Sequence, residues 1–308
     1  MADQVEVVLY GLGAIGSFYA FVLQRSDRVR LTVIARSNYQ AVKENGILLK
    51  SANHGEHRFH PDRVLRSPSE LTHPADYLVC TNKAIDTDTV VQSLSPAINA
   101  DTTIVIIQNG VGNEDPFRAV YPSSTIISCV TWVGASQPTP GTTIHTTSEE
   151  TELGLYPNPT LPRSIESDRL TTFTILLTPS RTPFTVHTDI QPIRWSKTIW
   201  NCAWNTLTTL TAQDTQSFLG SSPDAIPFTR RLMNEAVSVA TACGVSLPQD
   251  LVDAQMERMR RLGAVRTSMQ IDREMGRKME IEVIVGARYG GPGSWGSMFL
   301  FWRRFMCC

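Results

Sequence analysis

The sequence lacks the features of a secreted, membrane-spanning or nucleic-acid-binding protein. Its 308 residues contain no apolar run close to the ~20 residues that span a bilayer. The beginning of the chain shows neither a basic n-region nor an apolar h-region, so no secretory signal is expected. A net charge of −1 argues against a general attraction to nucleic acid or anionic membranes. We therefore predict a cytoplasmic protein with neither a nucleic-acid nor a membrane partner.

The cysteines and histidines also lack the spacings of metal and redox motifs. No two cysteines form a C-x-x-C pair, and the six lie at Cys80, Cys129, Cys202, Cys243, Cys307 and Cys308. We expect reduced, mostly buried thiols. The histidines between residues 54 and 73 show no i, i+4 pair on a clear helix with a carboxylate partner. No metal site is therefore predicted.

A glycine-rich loop near the N-terminus is the first motif that the sequence does contain. A β-rich run at Val5–Tyr10 is followed by Gly-x-Gly-x-x-Gly and then by an apolar helical stretch, which is the context of a dinucleotide site. The first glycine permits a tight turn, the second lets the backbone approach a pyrophosphate, and the third lets the helix pack closely. The alternative is a chance glycine turn. The predicted cofactor-binding residues are Gly11, Leu12, Gly13, Ala14, Ile15 and Gly16.

The residue after the second strand favours NADP(H) over NAD. An NAD enzyme places Asp or Glu at the end of this strand, where the carboxylate holds the ribose 2′-hydroxyl. Here strand 29–35 is followed by Arg36, 20 residues after Gly16. A guanidinium binds a 2′-phosphate in bidentate fashion, whereas a carboxylate repels it. We predict NADP(H) as cofactor; the alternative is a surface arginine.

Two more polar side chains follow core strands of the predicted sheet. Lys83 follows Tyr77–Cys80, and Asn109 follows Thr103–Ile107. Ligands of open parallel sheets lie beyond the carboxyl ends of the strands. Lys83 is therefore a candidate second cationic contact to the cofactor, and the Asn109 amide can donate to a nicotinamide or substrate oxygen. A structural Asn-Gly turn is the alternative for Asn109, and the two roles are compatible.

One stretch in the second half combines a polar stripe with bulky apolar faces. From Arg194 to Asn205 it contains no glycine or proline, and Pro192 suits the first turn of a helix. Lys197, Asn201 and Asn205 are four residues apart, which at about 100° per residue places them in a stripe about 80° wide. The neighbouring tryptophans favour a buried helix whose stripe faces a crevice. The wet side of an ordinary amphipathic helix explains the pattern equally well.

The remaining chain predicts a change of architecture near residues 186–190. Residues 136–141 form a predicted turn cluster, antiparallel strands are predicted after it near Ile144 and over 152–155, and a last strand is predicted at Phe184–Val186. The sequence then becomes mostly helical, with helices predicted over 228–243 and from Ser246 to Leu262. We predict two domains, residues 1–187 and 188–308.

Taken together, these residues resemble the ketopantoate reductases (2-dehydropantoate 2-reductases), over roughly residues 4–286. The spacing of the second-half residues is more specific to this family than the glycine loop is. The matching elements are the glycine loop, Arg36, Lys83, the segment 108–110, the helix with Lys197, Asn201 and Asn205, and Thr267-Ser268-Met269 with Glu280 twelve residues after Ser268.

The resemblance implies an α/β N-terminal Rossmann domain and an all-α C-terminal domain with 6-phosphogluconate-dehydrogenase-like helices, with the active site in the cleft. It implies an oxidoreductase that uses NADPH to reduce ketopantoate to pantoate, for pantothenate and coenzyme A biosynthesis. It also implies that Lys197 is the general acid. Glu280 would bind substrate, orient the lysine and contact the cofactor, and the substrate pocket would be lined by Asn109, Asn201, Asn205 and Ser268.

The tail over residues 287–308 departs from the family pattern. Four glycines and one proline between residues 290 and 296 cannot extend a helix, and an apolar, aromatic dodecamer follows. We expect a truncated or mis-spliced product whose last helix is replaced.

Two alternative functions stay open: a paralogous reductase of another 2-keto acid or ketone, and a non-catalytic NADP(H)-binding protein. A homodimer is compatible with the sequence.

Overall fold

The computed structural model describes residues 4–286, so the atypical tail at 287–308 lies outside the described residues. The chain forms two compact units. Of the described residues, the first unit contains 4–190 apart from Gly110–Gly112, and the second contains those three residues and 191–286. Within 4–286, no helix is both long enough and apolar enough to cross a membrane.

The first unit is built on one ten-stranded sheet. Its strands are β1 Val5–Tyr10, β2 Val29–Ile34, β3 Ile47–Ser51, β4 Gly55–Phe59, β5 Arg63–Leu65, β6 Tyr77–Cys80, β7 Thr103–Ile107, β8 Thr125–Thr139, β9 Thr142–Tyr156 and β10 Phe184–Val186. They lie in the order β4-β3-β9-β8-β7-β6-β1-β2-β5, and β10 pairs with β9. The central strands β1, β2, β6, β7 and β8 pair in parallel, whereas β8–β9 and β3–β4 are antiparallel hairpins.

Helices cover both faces of this sheet, because its central strands bury apolar side chains on both sides. Side chains alternate between the two faces of a strand: Val7 and Leu9 of β1 belong to the core with Phe18, whereas Val8 and Tyr10 pack in a second core with Phe117. The predicted Rossmann architecture is thereby confirmed. The helices of this unit are α1 Ala14–Gln24, α2 Tyr39–Asn45, α3 Thr87–Ser93, α4 Glu114–Val120 and α5 Arg163–Leu177.

The predicted turn cluster at 136–141 is wrong over most of its length. Strand β8 continues to Thr139, and only Pro140 and Gly141 separate it from β9. The β8–β9 register shifts between Ser136 and Thr139. A proline inside a strand is accommodated at such an irregularity, because it cannot donate to the ladder. Pro138 therefore does not end the strand.

The second unit is helical, as predicted, and is organised around α6, whose Trp204 is completely buried. The predicted helix start at Ser246 is wrong, because α9 begins only at Leu251. Pro248 disfavours a helical conformation at the residue before it, and a turn joins its carbonyl to the Leu251 amide. The helices are α6 Gln191–Thr211, α7 Thr215–Leu219, α8 Ala225–Ala242, α9 Leu251–Leu262, α10 Ser268–Glu274 and α11 Ile281–Ile284.

Candidate active site

The glycine loop joins β1 to α1 and is packed tightly at two of its three glycines. Gly11 has φ +101°, and a Cβ there would lie 2.4 Å from the Asn82 amide nitrogen. A Cβ on Gly16 would lie 2.1 Å from the Gly11 carbonyl oxygen, whereas one on Gly13 would meet nothing within 4 Å. Gly13 is exposed and is the N-cap of α1, so no side chain of the N-cap residue covers the first amides of this helix. The loop thus presents the N-terminus of an eleven-residue helix, a site that suits phosphate.

The two predicted cationic contacts lie beyond strands that pair side by side with β1. Arg36 follows β2 and Lys83 follows β6, and both side chains are exposed. Asn109 follows β7 and is half-buried, and its backbone carbonyl accepts a 2.8 Å hydrogen bond from the side-chain amide of Asn113. Since parallel strands end at the same edge, the sheet brings these three residues and the glycine loop to one side of the first unit.

The polar stripe of α6 is largely withdrawn from solvent within the second unit. Asn201 is 8% exposed and Asn205 is 3% exposed, while Lys197 is half-buried. The interpretation of this stripe as the wet side of an amphipathic helix is therefore wrong at both asparagines. The Asn205 Nδ2 amide is buried and has no hydrogen-bond partner among the described residues. A buried donor costs free energy until an acceptor pairs with it.

Ser268 and Glu280 lie at the starts of two short helices, α10 and α11, and both helices pack against α6. Ser268 is the first residue of α10 and is exposed, while the preceding Thr267 caps this helix and shares a 2.7 Å hydroxyl–hydroxyl hydrogen bond with Thr208 of α6. Glu280 precedes α11 and is 9% exposed. The second unit therefore attaches Ser268 and Glu280 to the helix that carries Lys197.

A short segment of the loop after β7 belongs to the second unit. The buried Arg194 side chain donates to the Gly110 carbonyl at 2.9 Å, and the Val111 amide donates to the Val283 carbonyl at 3.0 Å. A Cβ at Gly110 would lie 2.3 Å from that same carbonyl, and its φ is +89°. This close contact explains why a glycine follows Asn109, a position where the sequence predicts an Asn-Gly turn as one of two compatible roles.

Several polar residues that support the first-unit site were not predicted. Thr81 donates its hydroxyl to the Gly11 carbonyl at 2.8 Å, and the Gln108 side-chain amide donates to the Asn82 carbonyl at 2.8 Å. The side chain of Asn38 donates to the carbonyl of Leu12. The sequence gives a weak signal for the first two, because each directly follows a core strand, whereas an asparagine just before a helix is common and does not mark Asn38 as a contact of the loop.

Comparisons with known proteins place both units in one family. The model of ketopantoate reductase PanE/ApbA matches residues 7–158, and that of ketopantoate reductase PanE/ApbA C terminal matches residues 189–289. A 2-dehydropantoate 2-reductase from Mesorhizobium japonicum is 26% identical over 304 residues, which cover 92% of this chain and 90% of that protein.

Solved structures agree with this assignment. The crystal structure of 2-dehydropantoate 2-reductase from Methylococcus capsulatus is 32% identical, with a TM-score of 0.81, and the match covers 92% of this chain and 88% of that one. A ternary structure of D-mandelate dehydrogenase with NADH and anilino(oxo)acetate shares the fold at 23% identity, with a TM-score of 0.79 and coverage of 91% and 89%. The chain belongs to the ketopantoate reductase PanE/ApbA family of oxidoreductases.

Proposed function

We propose that this protein reduces 2-dehydropantoate to pantoate with NADPH, the step that feeds pantothenate and coenzyme A biosynthesis. The observation that carries the proposal is the burial of Asn201 and Asn205 on the stripe that also bears Lys197. Leaving a buried amide donor unpaired costs about 1–3 kcal/mol. A keto acid has carbonyl and carboxylate oxygens that can accept from such amides, and it needs a cation beside its keto oxygen.

The first unit is proposed to bind the dinucleotide. The open backbone at Gly13 and the N-terminus of α1 suit a pyrophosphate. Arg36 occupies the place where an NAD enzyme has an acidic residue, so its guanidinium would hold a 2′-phosphate, with Lys83 as a second cation. The choice of NADP(H) over NAD(H) rests on this arginine. Asn109 and Glu280 complete the proposed cofactor contacts.

The second unit is proposed to bind and polarise the keto acid. The bound nicotinamide supplies the hydride to the keto carbon. As negative charge develops on the keto oxygen, the Lys197 ammonium stabilises it and donates the proton that completes the alcohol. Glu280 orients the ammonium, and the side chains of Asn201, Asn205 and Ser268 hold the substrate through hydrogen bonds.

The test removes the proposed acid and compares it with a matched surface lysine. Lys197→Ala is expected to lower kcat by about 10²- to 10⁴-fold, the range for a positioned general acid, with little loss of NADPH affinity. The control is Lys50→Ala, because Lys50 lies in the first unit and makes an exposed ion pair with Glu56. That variant is expected to keep normal turnover, since such pairs contribute little to stability. Near-normal turnover by Lys197→Ala contradicts the assignment.

A substrate panel separates the proposal from its alternatives. NADPH oxidation is followed with 2-dehydropantoate and with a set of 2-keto acids that includes an aryl keto acid, since a D-mandelate dehydrogenase shares the fold. The proposal expects the highest kcat/KM with 2-dehydropantoate. A higher value with another keto acid makes the protein a paralogous reductase. Tight NADPH binding without turnover of any substrate makes it a binding protein.

A further inference from the structure

Two side-chain amides, which are hydrogen-bonded to each other, hold one carbonyl of the glycine loop. Asn38, in the turn between β2 and α2, donates from Nδ2 both to the Leu12 carbonyl and to Oε1 of Gln137, the latter at 2.9 Å. Gln137, in β8, donates in turn from Nε2 to the same Leu12 carbonyl at 3.5 Å and to the Ser17 hydroxyl at 3.4 Å. One carbonyl of the loop therefore accepts hydrogen bonds from both amides.

The position of Asn38 makes this arrangement unusual for a helix start. Asn38 is the N-cap of α2, where an asparagine side chain ordinarily accepts from the backbone of the first turn, yet it makes no capping bond here. Its side chain is directed instead at the loop and is buried, with 6% exposed. The helix therefore lacks this capping interaction, and the Asn38 side chain holds the Leu12 carbonyl of the glycine loop instead.

These hydrogen bonds link the two segments that are proposed to contact cofactor phosphates, namely the glycine loop and the turn that carries Arg36. Asn38 lies two residues after Arg36, and the Tyr39 amide donates to the Arg36 carbonyl at 3.2 Å, so the turn from 36 to 39 is compact. Leu12 lies between the first two glycines of the loop. Fixing Asn38 to Leu12 therefore fixes the backbone of Arg36 relative to the segment that would receive the pyrophosphate.

We propose that Asn38 and Gln137 form a positioning pair that sets Arg36 at the correct distance from the pyrophosphate, and so determine the preference for a 2′-phosphorylated dinucleotide. This inference rests on the proposed function, because it takes Arg36 as the contact to the 2′-phosphate. The pair does not touch the reacting atoms. Its effect is on the discrimination between NADPH and NADH.

The test measures dissociation constants of NADPH and NADH for the full chain and for variants. Asn38→Ala is expected to lower the ratio of the NADH constant to the NADPH constant about tenfold, which corresponds to ~1.4 kcal/mol. In an Arg36→Ala background, Asn38→Ala should leave the ratio unchanged, because the group that it positions is gone. Gln137→Ala is expected to change the ratio in the same direction as Asn38→Ala.

The matched control is Asn158→Ala in the same unit. Asn158 is similarly buried, at 4% exposed, and also donates to two backbone carbonyls, those of Pro122 and Ser124. It should lower stability without changing the ratio, which separates positioning from general destabilisation. Hydrogen exchange without cofactor gives a second measurement: amides of residues 12–17 should exchange faster in Asn38→Ala than in Asn158→Ala.

The outcomes separate this inference from the proposed function. If the wild-type chain prefers NADPH but the ratio is unchanged by Asn38→Ala, or falls equally with and without Arg36, the positioning role is overturned and the proposed function stands. If the wild-type chain binds neither dinucleotide, the proposed function fails, and the inference fails with it.

Discussion

Alanine substitutions at two nearby glycines of the loop should have different effects: Gly16→Ala should lower stability, and Gly13→Ala should weaken cofactor binding. Neither Gly13 nor Gly16 has a left-handed backbone, so an alanine is tolerated by the torsion angles of both. Only the space around them differs. A Cβ at Gly16 would lie 2.1 Å from the Gly11 carbonyl oxygen and 2.7 Å from the Thr81 hydroxyl, whereas one at Gly13 would meet nothing within 4 Å.

Gly16→Ala is expected to destabilise the first unit. Real Cβ contacts essentially never fall under 3.0 Å, so the loop backbone or α1 must move by nearly 1 Å. Overpacking of this kind costs about 1–3 kcal/mol. At roughly 2–4 °C per kcal/mol for a unit of this size, the thermal midpoint should fall by about 2–12 °C. Thermal unfolding followed by circular dichroism without cofactor measures this.

Gly13→Ala is expected to leave that midpoint almost unchanged. The loss of glycine at an N-cap and the gain from a less flexible unfolded chain are both below about 1 kcal/mol and act in opposite directions. The methyl group would instead occupy the path of the pyrophosphate, so the NADPH dissociation constant should rise at least tenfold, or ~1.4 kcal/mol. The reasoning is refuted if Gly16→Ala melts with the wild type, or if Gly13→Ala loses as much stability as Gly16→Ala.

Two further predictions concern groups outside the proposed site. Burial lowers the pKa of His145, which lies near His54 and Glu149. In the unfolded chain this imidazole has the ordinary pKa of about 6.5, so below pH 6.5 the unfolded chain binds a proton more readily than the folded chain does. The free energy of unfolding should therefore decrease as the pH falls below about 6.5. Denaturant titrations of the wild type and His145→Gln between pH 5 and 8 test this, and an equally steep decrease in the variant contradicts it. Burial raises the pKa of Cys202 to about 12, whereas Cys243 is exposed. Brief alkylation of the native chain, followed by peptide mapping, should therefore find Cys243 modified and Cys202 intact. Equal modification of both cysteines refutes this.

Local patterns in the sequence predicted the elements that depend on neighbouring residues. The glycine loop is defined by the succession of strand, turn and helix, and the structure has these elements at Val5–Tyr10 and Ala14–Gln24. The buried α6 followed from its periodicity and its tryptophans. Periodicity could not show whether its polar stripe was covered, because that depends on helices far along the chain. The burial of Asn201 and Asn205 decided it.

Contacts between distant residues explain what could not be predicted. Asn38 and Gln137 are 99 positions apart, and nothing near Asn38 distinguishes a loop clamp from a helix cap. Gly110–Gly112 packs with the second unit because Arg194 and Val283 bind its backbone, and neither partner is near in sequence. The register shift that accommodates Pro138 is likewise a property of the paired strand β9, rather than of β8 alone.

The composition of α6 is difficult to explain by stability alone. Several of its threonines satisfy their hydroxyls on the carbonyl one turn earlier, as Thr198 and Thr208 do. Thr209 is also buried, yet among residues 4–286 its hydroxyl has no hydrogen-bond partner, and neither does the side-chain amide nitrogen of Asn205, one turn before it. Apolar residues there would avoid a cost of about 1–3 kcal/mol for each unpaired group. Under the proposed function, the carbonyl and carboxylate oxygens of a keto acid would accept hydrogen bonds from these two groups.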